Sequence, residues 1–156
     1  MRKIIYLAII ERLKAARLGI AHFNLWNNHI AYLEKERGYR FPALFVEFEP
    51  IEWHQQMNRI RTADLRVRLH IVTKTLATPE DKGKYQNKAL EYLDLIEKIN
   101  AAMQGLCGEG FNAFMLVGSE PDHDHAEILH NVEIFVTHVT DVSARPAQAM
   151  LIAPHK

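Results

Sequence analysis

Asp64-Leu-Arg-Val-Arg-Leu-His-Ile-Val72 alternates without a break, placing Leu65, Val67, Leu69 and Ile71 on one side and Asp64, Arg66, Arg68 and His70 on the other. A period of two is the signature of a strand with one face against a core. Upstream, Phe41-Pro-Ala-Leu-Phe-Val-Glu-Phe48 is dense in aromatic and branched residues, with Pro42 at the start, where a missing N–H is tolerated, and Pro50 just past the end. These two runs predict neighbouring strands.

Working outward, residues 2 to 17 place Ile5, Ile9, Leu13 and Ala16 at helical spacing with Arg2, Lys3, Glu11, Arg12, Lys14 and Arg17 on the wet side, and Gly19 is a natural stop. Ile20 to Trp26 alternates at Ala21, Phe23 and Leu25, which predicts a short strand, and a short helix is expected from about His29 to Arg37. Ile51 to Thr62 reads as a connection, a long hairpin loop able to pack over a neighbour. Thr78 as N-cap, Pro79 as first residue and Glu80 and Asp81 in the first turn announce a second helix. Ala89, Tyr92, Leu93, Ile96, Ile99 and Met103 form its apolar face, opposite Lys88, Glu91, Asp94, Glu97 and Lys98.

Beyond the Gly105 to Gly110 turn region, strands are predicted over Phe111 to Val117 and Ala126 to Asp141, joined by a Gly118 to His125 hairpin loop. The expectation is an α+β domain over residues 1–142: a mostly antiparallel β-sheet, two main helices packed on one face, and a closing β-hairpin. Residues 143–156 lack periodicity and read as a C-terminal tail. The other sheet face and the edges then need cover, which copies of the same chain commonly provide.

At 156 residues with 48% hydrophobic content, the chain suffices for one core. Nineteen basic and nineteen acidic residues cancel, so the bulk field that draws proteins to nucleic acid or anionic membrane is missing, and nucleic acid is not expected as a specific ligand. The apolar run Ile4 to Ile10 ends at Glu11, well short of the roughly 20 residues of a membrane span. One cysteine, Cys107, cannot form an internal disulfide, and no signal-peptide pattern opens the chain, so a cytoplasmic setting is expected.

Asp122-His123-Asp124-His125 carries good ligands for first-row divalent ions, with His130 and His138 downstream. In an extended segment, however, the two histidines and the two aspartates point to opposite sides, and His130 and His138 on one strand lie about 26 Å apart. A polar hairpin loop accounts for the tetrad better; a metal-dependent enzyme built on Asp122, His123, Asp124 and His125 stays as the alternative. Arg59, Arg61, Arg66, Arg68 and His70 concentrate positive charge, which suits ion pairs with Glu47 and Glu49 or a subunit boundary better than phosphate, though a weak nucleic-acid module using Arg66 and Arg68 is a further alternative. Cys107 has neither a base nor a helix N-terminus to activate it, the Gly105, Gly108 and Gly110 pattern lacks the flanking elements of a dinucleotide loop, and Ser119 is in no nucleophile elbow. Trp26, Phe41, Phe45, Phe48 and Trp53 fit core packing rather than a base-stacking platform. No catalytic residue and no cofactor is expected.

The first helix followed by Phe23-Asn-Leu-Trp26, the Phe41 to Phe48 and Asp64 to Val72 strands, the helix from Tyr85 to Met103, and Asp122-His123-Asp124 before Val132-Glu-Ile-Phe-Val136 together resemble phage and prophage tail terminator proteins, through about Asp141. The resemblance implies a non-enzymatic α+β protein that assembles with itself into a ring, usually a hexamer, ends the tail tube and joins it to the head. The implied partners are tail-tube and head-tail connector proteins; the implied location is the bacterial cytoplasm or the virion tail. Trp53, Met57, Arg59, Arg66, Arg68 and His70 are the subunit-contact candidates under it, with the Ile51 to Thr62 connection and the tail.

Overall fold

Fourteen consecutive ladder pairs, from Arg61↔Asp141 to Lys74↔Ile128, join two long strands into the spine of a sheet. The structure, a computed structural model, describes residues 1–27, 40–74, 84–123 and 128–145. The elements in chain order are α1 (Arg2–Ala15), β1 (His22–Leu25), β2 (Ala43–Phe48), β3 (His54–Gln55), β4 (Arg61–Lys74), α2 (Lys84–Met103), β5 (Met115–Asp122) and β6 (Ile128–Asp141). The six strands run β1-β2-β4-β6-β5, with β3 also paired to β4. Among the described residues only the β1–β2 pair is parallel. This is the α+β architecture that the alternation predicted. The short helix expected at 29–37, the Thr78 cap signal and the tail from 146 onward lie outside the described residues.

Both helices cover the face that the alternation assigned to the core. Leu65, Val67, Leu69 and Ile71 of β4, with Leu44 and Val46 of β2 and Phe135 and Val139 of β6, form one buried cluster with Ile5, Ile9 and Leu13 of α1 and Leu95, Ile99 and Met103 of α2. Fully burying a side chain of this class contributes about 1.5–3 kcal/mol. The α2 stripe is turned by one position from the predicted one: Leu95 is buried while Leu93 is 54% exposed. Tyr92, Leu95, Ile96 and Ile99 follow the 3, 1, 3 spacing of a single helical face, from which Leu93 departs by about 100°.

The Ile51–Thr62 connection is a hairpin against its own sheet. His54↔Thr62 and Gln55↔Arg61 pair, and the turn closes through Ile60 N–H to the Met57 carbonyl at 3.4 Å. Asn58 and Arg59 both have positive φ, 59° and 60°. Two successive left-handed residues are what a mirror-image hairpin turn requires, and Asn fits that role while Arg does not.

The closing hairpin is shifted from the predicted one. β5 starts at Met115 rather than Phe111, because residues 110–112 make a separate contact: Thr140 N–H bonds the Gly110 carbonyl and Asn112 N–H the His138 carbonyl. Gly110 has φ +76° and lies so close to the Thr140 carbonyl that a Cβ would sit 3.0 Å from it. Gly118 to Asp122, read from sequence as loop, is strand. The ladder skips one residue between Leu116 and Gly118, a bulge that explains the glycine, and Pro121 is accommodated because β5 is an edge strand.

Candidate functional site

The second sheet face divides in two. Toward the C-terminal end of β4, Ala43, Phe45, Val72 and Ile128 form a small buried cluster with Trp26 and Phe41 packed on it. Toward the other end, Asp64, Arg66 and His138 are exposed. The expectation of an uncovered face therefore holds for one half only.

Between the halves lies an open cleft of about 530 Å³ bordered by Trp26, Arg68, His70, Glu120, Asp122 and His130, with His123 at its rim. The ladder brings these residues together. Phe45↔His70 and Glu47↔Arg68 across β2 and β4, His70↔Val132 and Val72↔His130 across β4 and β6, and Asp122↔His130 across β6 and β5 put four strands behind one patch. His70 and His130 are only 5% and 6% exposed. Their rings touch: His70 Nδ1 lies 3.0 Å from His130 Nε2, His70 Nε2 lies 2.9 Å from Glu47 Oε2, and His130 Nδ1 lies 2.8 Å from Asp122 Oδ2. Trp26 stacks on His70 at 3.8 Å between centroids and 3° between planes, and meets Phe45 edge-on. Trp26 and Phe45 thus serve packing.

Arg68 organises the carboxylates beside this pair. It lies 3.5 Å from Glu47 and 3.5 Å from Glu49, and pairs closely with Glu120 on β5. Burial opposes its charge, but Glu120, Glu49 and Glu47 outweigh that and raise its pKa. His70 moves the other way: burial first, then the neighbouring His130 and Arg68, lower its pKa to about 3.

The covered face has its own polar core. Glu133, 1% exposed, accepts hydrogen bonds from Asn100 Nδ2 at 2.9 Å, Ser119 Oγ at 2.6 Å and, closely, Asn131 Nδ2. Three donors from α2, β5 and β6 satisfy that carboxylate and tie the edge strand to the helix. Tyr92 donates to the Ile71 carbonyl at 2.9 Å, and burial, with Glu133 nearby, raises its pKa. At the far end, Arg61 Nη2 lies 2.7 Å from Asp141 Oδ2 and the guanidinium also sits 4.6 Å over the Trp53 ring. The Ser143 backbone N–H, then Arg61, hold Asp141 down to about 2.

The sequence-predicted residues are spread over several parts of the fold. Arg68 and His70 are in the cleft, where His70 is buried against its own chain rather than presented outward. Met57, 86% exposed, and exposed Arg59 form the hairpin tip, while Trp53 packs back on the main core. Arg66 stands on the exposed half-face. Of the Asp122–His125 tetrad, Asp122 ends β5 and accepts from His130, His123 borders the cleft, and Asp124 and His125 lie outside the described residues. Among the described residues no group of three His, Cys, Asp or Glu is spaced to hold a metal ion. Cys107 is exposed.

A solved chain from the virion of a native gene transfer agent particle superposes with a TM-score of 0.56, covering 87% of this chain and 94% of that one at 12% identity. The fold is shared with a virion chain. At that identity the likeness is one of architecture, and it runs through nearly the whole of both chains. No protein-family model and no curated protein matches the sequence. Among the described residues no helix is long and apolar enough to cross a membrane.

Proposed function

We propose that this chain is a structural protein of a phage-like particle, a tail terminator that assembles with itself into a ring, closes the tail tube and joins it to the head. The observation that carries the reading is the fold match to a virion chain over 94% of that chain's length. The element order that prompted the resemblance to tail terminators supports it, and so does the surface. Edge strand β5 exposes Met115 at 54%, Leu116 at 38% and Val117 at 50%, and unpaired edges with apolar side chains are surfaces that proteins cover by association. The hairpin tip keeps Arg59 in a conformation where glycine would be easier, an arrangement that local stability does not favour and a contact would. A ring of six, no catalytic role, and a location in the virion or the host cytoplasm belong to this reading.

Light scattering of the purified chain, alone and with tail-tube protein, tests it. A discrete closed oligomer that caps tube ends in electron micrographs is the expected result. A mass of one subunit at every concentration in both conditions, with tubes growing unchecked, overturns it. Met57→Glu with Arg59→Glu lowers the oligomer's stability at least tenfold under this reading while leaving the fold intact.

A further inference from the structure

The four side chains Glu47, His70, His130 and Asp122 pose a proton-counting problem. They are joined by three polar contacts of 2.9, 3.0 and 2.8 Å, in that order along the row. Each is hydrogen-bond distance, so each needs one hydrogen. Ionised carboxylates accept only, and a neutral imidazole brings one N–H. Two neutral rings between two carboxylates therefore supply two hydrogens for three contacts. One contact would then set acceptor against acceptor in a buried place, at the expense of a desolvated, unmade bond.

The surrounding charges favour supplying the missing hydrogen. Facing the pair are Glu47 of β2, Arg68 of β4 with its partner Glu49, Glu120 and Asp122 of β5, and His123 just beyond β5. Among these described groups one guanidinium meets four carboxylates. A second cation lowers that imbalance, and opposite charge within a few ångströms favours the charged form.

We infer that the His70–His130 pair is a proton-binding site that carries one proton in excess of two neutral rings at neutral pH, and that this proton completes a tie across β2, β4, β6 and β5. His130 holds it, donating Nδ1–H to Asp122 and Nε2–H to His70 Nδ1, while neutral His70 donates Nε2–H to Glu47. The depressed pKa of His70, owed to burial and then to the charge on His130, agrees with that division. Because β5 reaches this patch through the Asp122–His130 contact, losing the proton loosens that outermost strand. The site stands independently of any assembly role.

Long-range proton–nitrogen NMR of the imidazoles in the unmodified protein is the direct test. At pH 7 both nitrogens of His130 carry protons and His70 is the Nε2–H tautomer. Raising the pH removes one proton from the pair, and amide exchange at Glu120 and Asp122 then accelerates, beyond its intrinsic base dependence, by up to tenfold per pH unit. Asp122→Asn moves that transition to lower pH, with Glu47→Gln as the second variant should the first not fold. Two neutral rings at pH 7, or nitrogen shifts of the pair that stay constant from pH 6 to 9, overturn the inference.

Discussion

The two faces of the sheet are built from the same strands and solve different problems. On the helix face β4 contributes Leu65, Val67, Leu69 and Ile71, each at most 1% exposed, to one continuous apolar layer. On the opposite face the alternate residues Asp64, Arg66, Arg68 and His70 run from exposed to buried along the same strand. The helix face is held chiefly by area removed from water, which is insensitive to pH, with the Glu133 carboxylate and the Arg61–Asp141 pair as its titratable exceptions. The other is held by a row of charges and rings whose attraction depends on who carries each proton. The contrast teaches that a strand's period of two divides sensitivity as well as polarity.

The largest expected effect tests the first half of that comparison. Leu69→Ala on the helix face should cost about 2–5 kcal/mol in urea unfolding, since it leaves a cavity in the main core. Val136→Ala on the half-buried opposite face should cost under about 1.5 kcal/mol. Equal costs would break the distinction.

Next comes acid. A histidine held neutral in the fold at a pKa of about 3 and ordinary when unfolded means that the unfolded chain binds a proton the folded chain refuses. That part of stability is complete above about pH 6.5 and is lost as pH falls from there toward 3, by up to about 1.4 kcal/mol per pH unit. Thermal unfolding from pH 7 to 4 should show this slope, and His70→Phe should flatten it. Asp141 has the opposite titration character and the same sign: its carboxylate, held at about 2, contributes stability present above about pH 3.8 and lost as pH falls through 2. Asp141→Asn removes the Arg61 pair and weakens the Ser143 contact, and should cost about 1–2 kcal/mol at pH 7 while losing its effect near pH 2.

A smaller change carries the opposite sign. Arg59→Gly relieves a left-handed residue in the β3–β4 turn and should stabilise the monomer by about 1 kcal/mol. Arg66→Ala, on the exposed half-face, should shift unfolding by less than about 0.5 kcal/mol. A larger loss there would mean that the exposed half-face already shares the fold's energetics, and the two-face comparison would need redrawing.

Much of the fold was legible because β4 and β6 alternate over long runs and α2 has a broad apolar stripe. The misplaced elements share a cause. Gly118 and Pro121 look like turn residues, yet an edge strand with a bulge uses a glycine at the irregularity and excuses a proline its missing N–H. Leu93 misled because it borders the stripe and only packing decides which border is buried. The cleft was half legible: His70 and His130 could each be assigned to a strand face, but they are 60 positions apart, and only the Val72↔His130 register makes them touch. A histidine on an otherwise apolar strand face opposite a histidine-bearing partner was the available signal. The Asp122 carboxylate drew attention as a metal ligand, and in the fold it accepts from the His130 imidazole.

The β4–β6 ladder also sets a timetable. Arg61 pairs with Asp141 and Lys74 with Ile128, so the spine closes over intervals of roughly fifty to eighty residues. Contacts so distant along the chain are slow to form, and during synthesis they wait for the second strand to emerge. Until then β4 has β2 and β3 for neighbours and its long central edge bare. The nascent chain is thus most exposed to wrong pairing in the interval between finishing β4 and completing β6, which is when a chaperone has most to protect.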